Sequence, residues 1–126
     1  MNKKTFSFLS IIIYFIGVTY VYFIPINLEK LGTNTDKKIH YVIFLCGGLL
    51  FLLLKKFKTK KVYLTLFLSF LLVSPFLLEI AQGLVSYRVY DPKDMLANYL
   101  GLGTVLLVYL SIKVIKKIIF ACKNET

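Results

Sequence analysis

Four long stretches of this chain carry almost no charge, and that dictates most of what it can fold into. Residues 6–26 include no charged side chain, and residues 39–54 have His40 as their only strongly polar member. Residues 62–84 are interrupted by Glu79 and Gln82, and residues 95–112 are broken mainly by Asn98. A helix that crosses a bilayer needs roughly 17–25 largely apolar residues, because each adds about 1.5 Å across a ~30 Å hydrocarbon core. The second stretch reaches that length once its polar first turn, residues 36–40, is included. All four are apolar all round and lack the polar face of a soluble amphipathic helix. The expected architecture is therefore all-α: an integral membrane four-helix bundle with spans at about 6–26, 36–54, 62–84 and 92–115. The whole of residues 1–126 then forms one membrane domain, with short tails and loops that leave no room for a soluble one.

The first stretch follows Lys3 and Lys4, as a secretory signal would. Its apolar region is longer than the ~7–15 residues of a signal, and no small-x-small cleavage pattern lies near its end, so an uncleaved first helix is expected.

Composition enters because the charge is lopsided. Sixteen Lys and Arg face six Asp and Glu, for a net +10, in a chain that is 58% apolar. Such a balance fits either nucleic acid or a membrane. Eleven of the sixteen cations lie in the N-terminal tail, the 55–61 connection and the C-terminal tail. The positive-inside rule then places both termini in the cytosol of a multi-pass cell-membrane protein. The 55–61 lysine run is too short to form a nucleic-acid reading element, so no nucleic-acid partner is expected. Contact with anionic lipid, worth about 1 kcal/mol per lysine, accounts for it. The tyrosines Tyr20, Tyr22, Tyr41, Tyr87, Tyr90 and Tyr99 fall near the opposite ends of the spans, where an aromatic belt would sit. Cys46 and Cys122 fall at different depths and form no metal-binding spacing.

Five of the six acids, the only His and the only Arg lie on the non-lysine side. Counting helix rise at about 1.5 Å per residue, His40 is ~22 Å from Lys55 and Asn98 is ~22 Å from Lys113. Glu79 is ~27 Å from Lys61, and Asp94 is ~28 Å from Lys113. Three helices thus deliver polar groups to one layer. Ionisable groups within a span cost roughly 2.5–3.5 kcal/mol even on forgiving scales, so they belong where they face the bundle interior. Asp36 with His40 and Asp94 with Asn98 are spaced i,i+4, and Glu79 with Gln82 i,i+3, so each pair shares a helix face.

Structural readings stand beside this. Thr33-x-x-Asp36 has the form of a capping box. Asp91-Pro92-Lys93-Asp94 has the form of an N-cap, a first-turn proline and an acid at the dipole's positive end. Gly47-Gly48 and Ala97-x-x-x-Gly101-x-Gly103 read as close-packing surfaces, which leave dimerisation open. Pro75 is placed to kink the third helix. Glu79 has Arg88 as a candidate ion-pair partner.

The set Asp36-Lys37-x-x-His40, Glu79-x-x-Gln82, Arg88 and Asp91-x-x-Asp94-x-x-x-Asn98-x-x-Gly101 resembles the VanZ-like family. These are small bacterial membrane proteins named after a teicoplanin-resistance determinant. The resemblance spans roughly half the chain, and the first helix carries no motif. It implies a cell-envelope protein linked to lowered teicoplanin susceptibility, and the mixed-sign polar layer makes Asp36, His40, Glu79, Gln82, Arg88, Asp91, Asp94 and Asn98 the expected ligand-binding residues. A lipid-linked cell-wall precursor or a lipoglycopeptide would be the partner, and resistance to teicoplanin-type antibiotics the outcome.

Two other functions stay open. An intramembrane enzyme on a lipid-linked substrate would use Glu79 as acid or base with His40 assisting, and Ser86 is a conceivable nucleophile. A metal-assisted variant would use His40 with Glu79, Asp36 or Asp94. One His without a fixed ligand spacing assigns no metal site, and no cofactor is expected. In the third reading the polar layer only holds the bundle together.

Overall fold

The computed structural model describes residues 3–24, 34–85 and 90–123. They form four helices: α1 Lys3–Phe23, α2 Thr35–Lys56, α3 Lys61–Gly83 and α4 Pro92–Lys123. No strand occurs among the described residues. By length and composition α1, α2 and α3 can each cross a membrane. α1 stops at Phe23, two residues before Pro25, in keeping with the steric bias against helix ahead of a proline. α4 continues past residue 115 to Lys123, through a run of Val, Ile, Lys and Phe that contains neither Gly nor Pro to end it.

Successive helices run antiparallel. Ser7 near the start of α1 shares a 2.8 Å hydrogen bond with Thr59 beyond α2, and the Phe6 and Phe57 rings meet edge to face at 5.7 Å. At the other end Tyr22 of α1 meets His40 of α2. The 55–61 connection and the far half of α4 share one end, where Lys55 and Lys113 both lie over the Tyr109 ring. This is the lysine end, and the other is the polar end. Lys58, at φ 56, makes the left-handed turn between α2 and α3.

α2 and α4 are the most closely packed pair. Gly101 makes this possible: a Cβ there would collide with the Tyr41 carbonyl oxygen and stand 2.9 Å from the Leu45 nitrogen. Backbone thus lies directly on backbone, as small residues permit between membrane helices. Gly48 faces Val105 across the same interface, and Gly47 faces Tyr14 and Leu71. Gly103 has nothing within 4 Å, so the expected close-packing role falls to Gly101 and not to Gly103. α1 packs on α2 and α3 through Val18, Tyr22, Phe44, Phe67 and Leu71.

The distribution of side chains is inverted relative to a water-soluble bundle. His40, Glu79, Gln82, Asp94 and Asn98 are buried, whereas Leu66, Leu77, Leu107, Ile119 and Phe120 are exposed. Only 17–28% of residues in the three spans are buried within the bundle. A soluble monomer does not leave so much contiguous apolar surface bare, so these faces suit hydrocarbon. α4 has no buried residue after Val105, so the polar half of the bundle is its packed half.

Candidate functional site

The polar end is assembled from helix termini whose geometry brings side chains inward. α2 begins after Asn34, which sits in the left-handed region at φ 69 and makes no side-chain capping bond. Thr33, the first residue of the expected capping box, lies outside the described residues. Asp36 falls in the first turn, where the helix dipole favours an acid. One turn further, His40 points into the bundle and is 3% exposed.

α4 starts as its sequence suggests. Asp91 Oδ1 accepts a 2.9 Å hydrogen bond from the Lys93 backbone N–H, with Pro92 in the first helical position. Asp91 Oδ2 accepts a 3.0 Å bond from Lys37 Nζ. The Lys93 amide first, and then the Lys37 ammonium, hold the Asp91 carboxyl below its ordinary pKa. Asp94 and Asn98 follow at one-turn intervals and are buried. On α3, Glu79 is fully buried, and its Oε1 accepts a 2.9 Å bond from the Asp91 backbone N–H. Glu79 thus anchors the start of α4. Arg88, the expected partner of Glu79, lies outside the described residues, as does Ser86.

The floor of the site is one connected network. Asn98 donates through Nδ2 to the Tyr22 hydroxyl at 2.6 Å, so its Oδ1 faces His40 Nδ1 as an acceptor at 3.2 Å. The Tyr22 hydroxyl also lies 2.9 Å from His40 Nδ1. A proton on Nδ1 completes the contact with Asn98, and the lone pair of a neutral imidazole then sits on Nε2. Gln82 Nε2 donates to the Tyr22 carbonyl at 2.9 Å, tying α3 to the end of α1. His40 Nε2 lies 3.6 Å from Asp36 Oδ1 and 3.9 Å from Asp94 Oδ2. Lys37 Nζ lies 3.4 Å from the other Asp94 oxygen.

The rim differs from the floor. The side chains of Asp36, Lys37 and Asp91 are 30%, 32% and 35% exposed, while those of His40 and Asp94 are 4% and 6%. A rim of both charge signs therefore surrounds a buried polar interior. Two carboxylate oxygens inside it make no hydrogen bond: Asp94 Oδ1, which has the Lys37 ammonium 3.4 Å away, and Glu79 Oε2. A buried carboxylate oxygen without a donor is costly, and such groups ask for a functional account.

Of the expected site residues, Asp36, His40, Glu79, Gln82, Asp91, Asp94 and Asn98 come together at this end. Tyr22 is the residue that sequence reasoning assigned elsewhere, to an interfacial belt. It is 1% exposed and bonds to both His40 and Asn98. Its signal was the stripe Ser7, Ile11, Tyr14, Val18 and Tyr22, spaced by three and four residues along α1 as one helix face. Of the other belt tyrosines, Tyr99 donates to the Leu72 carbonyl on α3 at 2.9 Å, three residues before Pro75. Tyr41 donates to Thr104 across the α2–α4 interface at 3.0 Å.

Comparison with protein-family models, with curated proteins and with solved structures finds no match.

Proposed function

We propose that this chain is a VanZ-like multi-pass protein of the bacterial cell membrane, and that its polar end is an outer-leaflet site for the head of an amphiphile. α4 serves as the fourth span through its apolar stretch at residues 95–112, and the excess of lysines holds both termini in the cytosol. The ligand is a lipid-linked cell-wall precursor or a lipoglycopeptide, and its retention at the membrane lowers the action of teicoplanin-type antibiotics.

The observation that carries the reading is the half-exposed rim of Asp36, Lys37 and Asp91 over a buried polar floor. A lysine beside carboxylates suits a headgroup that carries both phosphate or carboxylate and amine or hydroxyl groups. An ion-pair layer that served packing alone would be expected to leave no buried carboxylate oxygen without a donor, yet Glu79 Oε2 has none.

The test is teicoplanin susceptibility of strains carrying empty vector, wild type, Asp36→Asn and Lys37→Gln at equal membrane expression. Wild type is expected to raise the inhibitory concentration and both rim variants to lower it toward the vector value. A wild-type strain indistinguishable from empty vector would remove the resistance reading. Two variants equal to wild type would remove the rim from it.

A further inference from the structure

Asp36 and His40 on α2 and Asp94 on α4 each present one potential ligand atom, and these atoms lie within 4.8 Å of one another. The 3.6 and 3.9 Å gaps from His40 Nε2 to the two carboxylates are too long for hydrogen bonds. They are close to the ~3.4 Å that separates two donors when each binds one tetrahedral ion at about 2.1 Å. The imidazole is also oriented as a ligand would be. Its Nδ1 faces the Asn98 carbonyl oxygen and the Tyr22 hydroxyl, which hold the ring and leave Nε2 turned toward the carboxylates.

A second observation points to a missing ligand. Asp94, with its side chain 6% exposed, is aimed into this cluster, and its Oδ1 makes no hydrogen bond, having only the Lys37 ammonium 3.4 Å away. Glu79 Oε2 is likewise buried without one, and Glu79 lies within electrostatic reach of His40, Asp94 and Asp36. Lys37 pairs with Asp94 and is shared with Asp91. Two carboxylates and a neutral imidazole match the charge of a divalent ion, and buried charges call for such compensation.

We propose that Asp36, His40 and Asp94 bind one divalent first-row cation of the zinc or manganese class. Imidazole selects such ions over magnesium and calcium, and carboxylates accept them. Asp36, on the rim, provides the entry side. Lys37 faces Asp94 Oδ1, which leaves Oδ2 for the cation. Three protein donors leave at least one coordination position open, and an oxyanion of the headgroup fits there. The inference concerns the site of the proposed function, but metal content is read on purified protein and resistance on cells, so either can fail alone.

The experiment uses tag-free full-length protein in detergent, stripped with chelator and titrated with Zn²⁺, Mn²⁺ and, as a control, Mg²⁺. Wild type is expected to bind about one equivalent of Zn²⁺ or Mn²⁺ and to give a Co²⁺ ligand-field spectrum. His40→Ala and Asp94→Asn lose both signals, and Asn98→Ala weakens binding about 10- to 100-fold. Lys37→Gln, at a half-exposed position that tolerates change, tightens binding roughly threefold or more, because it removes a like charge beside the ion. The proposal is overturned if wild type binds no stoichiometric metal, or if His40→Ala and Asp94→Asn retain it. Should those two variants fail to fold, unchanged or weaker binding in Lys37→Gln overturns it equally.

Discussion

The two ends of this bundle hold similar amounts of charge and use it in opposite ways. At the lysine end the described lysines are of one sign and exposed, and two of them lie over Tyr109. At the polar end both signs are present, and Glu79 and Asp94 are buried among His40, Gln82, Asn98 and Tyr22. In sequence terms the lysine end carries the entire net +10 and the polar end balances to zero. Net charge is therefore a poor guide to where a membrane protein works. Charge that is expensive to bury and nevertheless buried is a better one.

Substitutions can break this contrast, beginning with the largest effect. Gly101→Ala drives a Cβ into the α2 backbone and is expected to cost about 3 kcal/mol, the upper end of the range for overpacking. Gly103→Ala, with open space around it, should stay within about 0.5 kcal/mol of wild type. Denaturant titration in detergent micelles measures both, and equal losses would contradict the α2–α4 contact. Asn98→Ala is expected to cost about 2 kcal/mol, because it removes buried hydrogen bonds to the Tyr22 hydroxyl and His40 Nδ1, which then have only each other.

Rim changes are smaller. Lys37→Gln should cost no more than about 1 kcal/mol, as half-exposed ion pairs do. Asp91 adds a pH signature. Its folded pKa lies below the unfolded value, so its contribution is present above the ordinary carboxylate pKa and fades as pH falls through the depressed folded value. The stability gap between wild type and Asp91→Asn should therefore close on acidification, and a gap that widens toward acid would reverse the sign. At the lysine end, Lys60→Gln should leave stability within about 0.5 kcal/mol. Neutralising all five lysines of the 55–61 connection should instead disturb orientation, as read by reporter fusions at the C-terminus.

Much of this was legible in the residues. Uninterrupted apolar length forces helices, and the i,i+4 pairs Asp36 with His40 and Asp94 with Asn98 forecast which helix faces turn into the polar layer. The start of α4 was readable because Asp-Pro encodes its own cap. Tyr22 was harder to place, since a tyrosine near a span end suits an interfacial belt as well as a buried hydrogen bond. The choice depends on which face of α1 meets α2 and α3, which is a matter of packing. The three-donor cluster was hidden for a similar reason. Asp94 lies 54 positions beyond His40 in the chain, and only the close approach at Gly101 brings α4 within reach of α2.

The central claim is that the buried charge at the polar end serves a ligand and not the fold. Glu79→Gln tests it, since glutamine can keep the oxygen that accepts from Asp91 while replacing the charge and the donor-less Oε2 with a neutral amide. The decisive measurement is teicoplanin susceptibility of a strain expressing Glu79→Gln at the wild-type level, with thermal stability in detergent confirming an intact fold. The account predicts a fully folded protein with susceptibility at the empty-vector value. Wild-type resistance in that strain, with or without lowered stability, would contradict it.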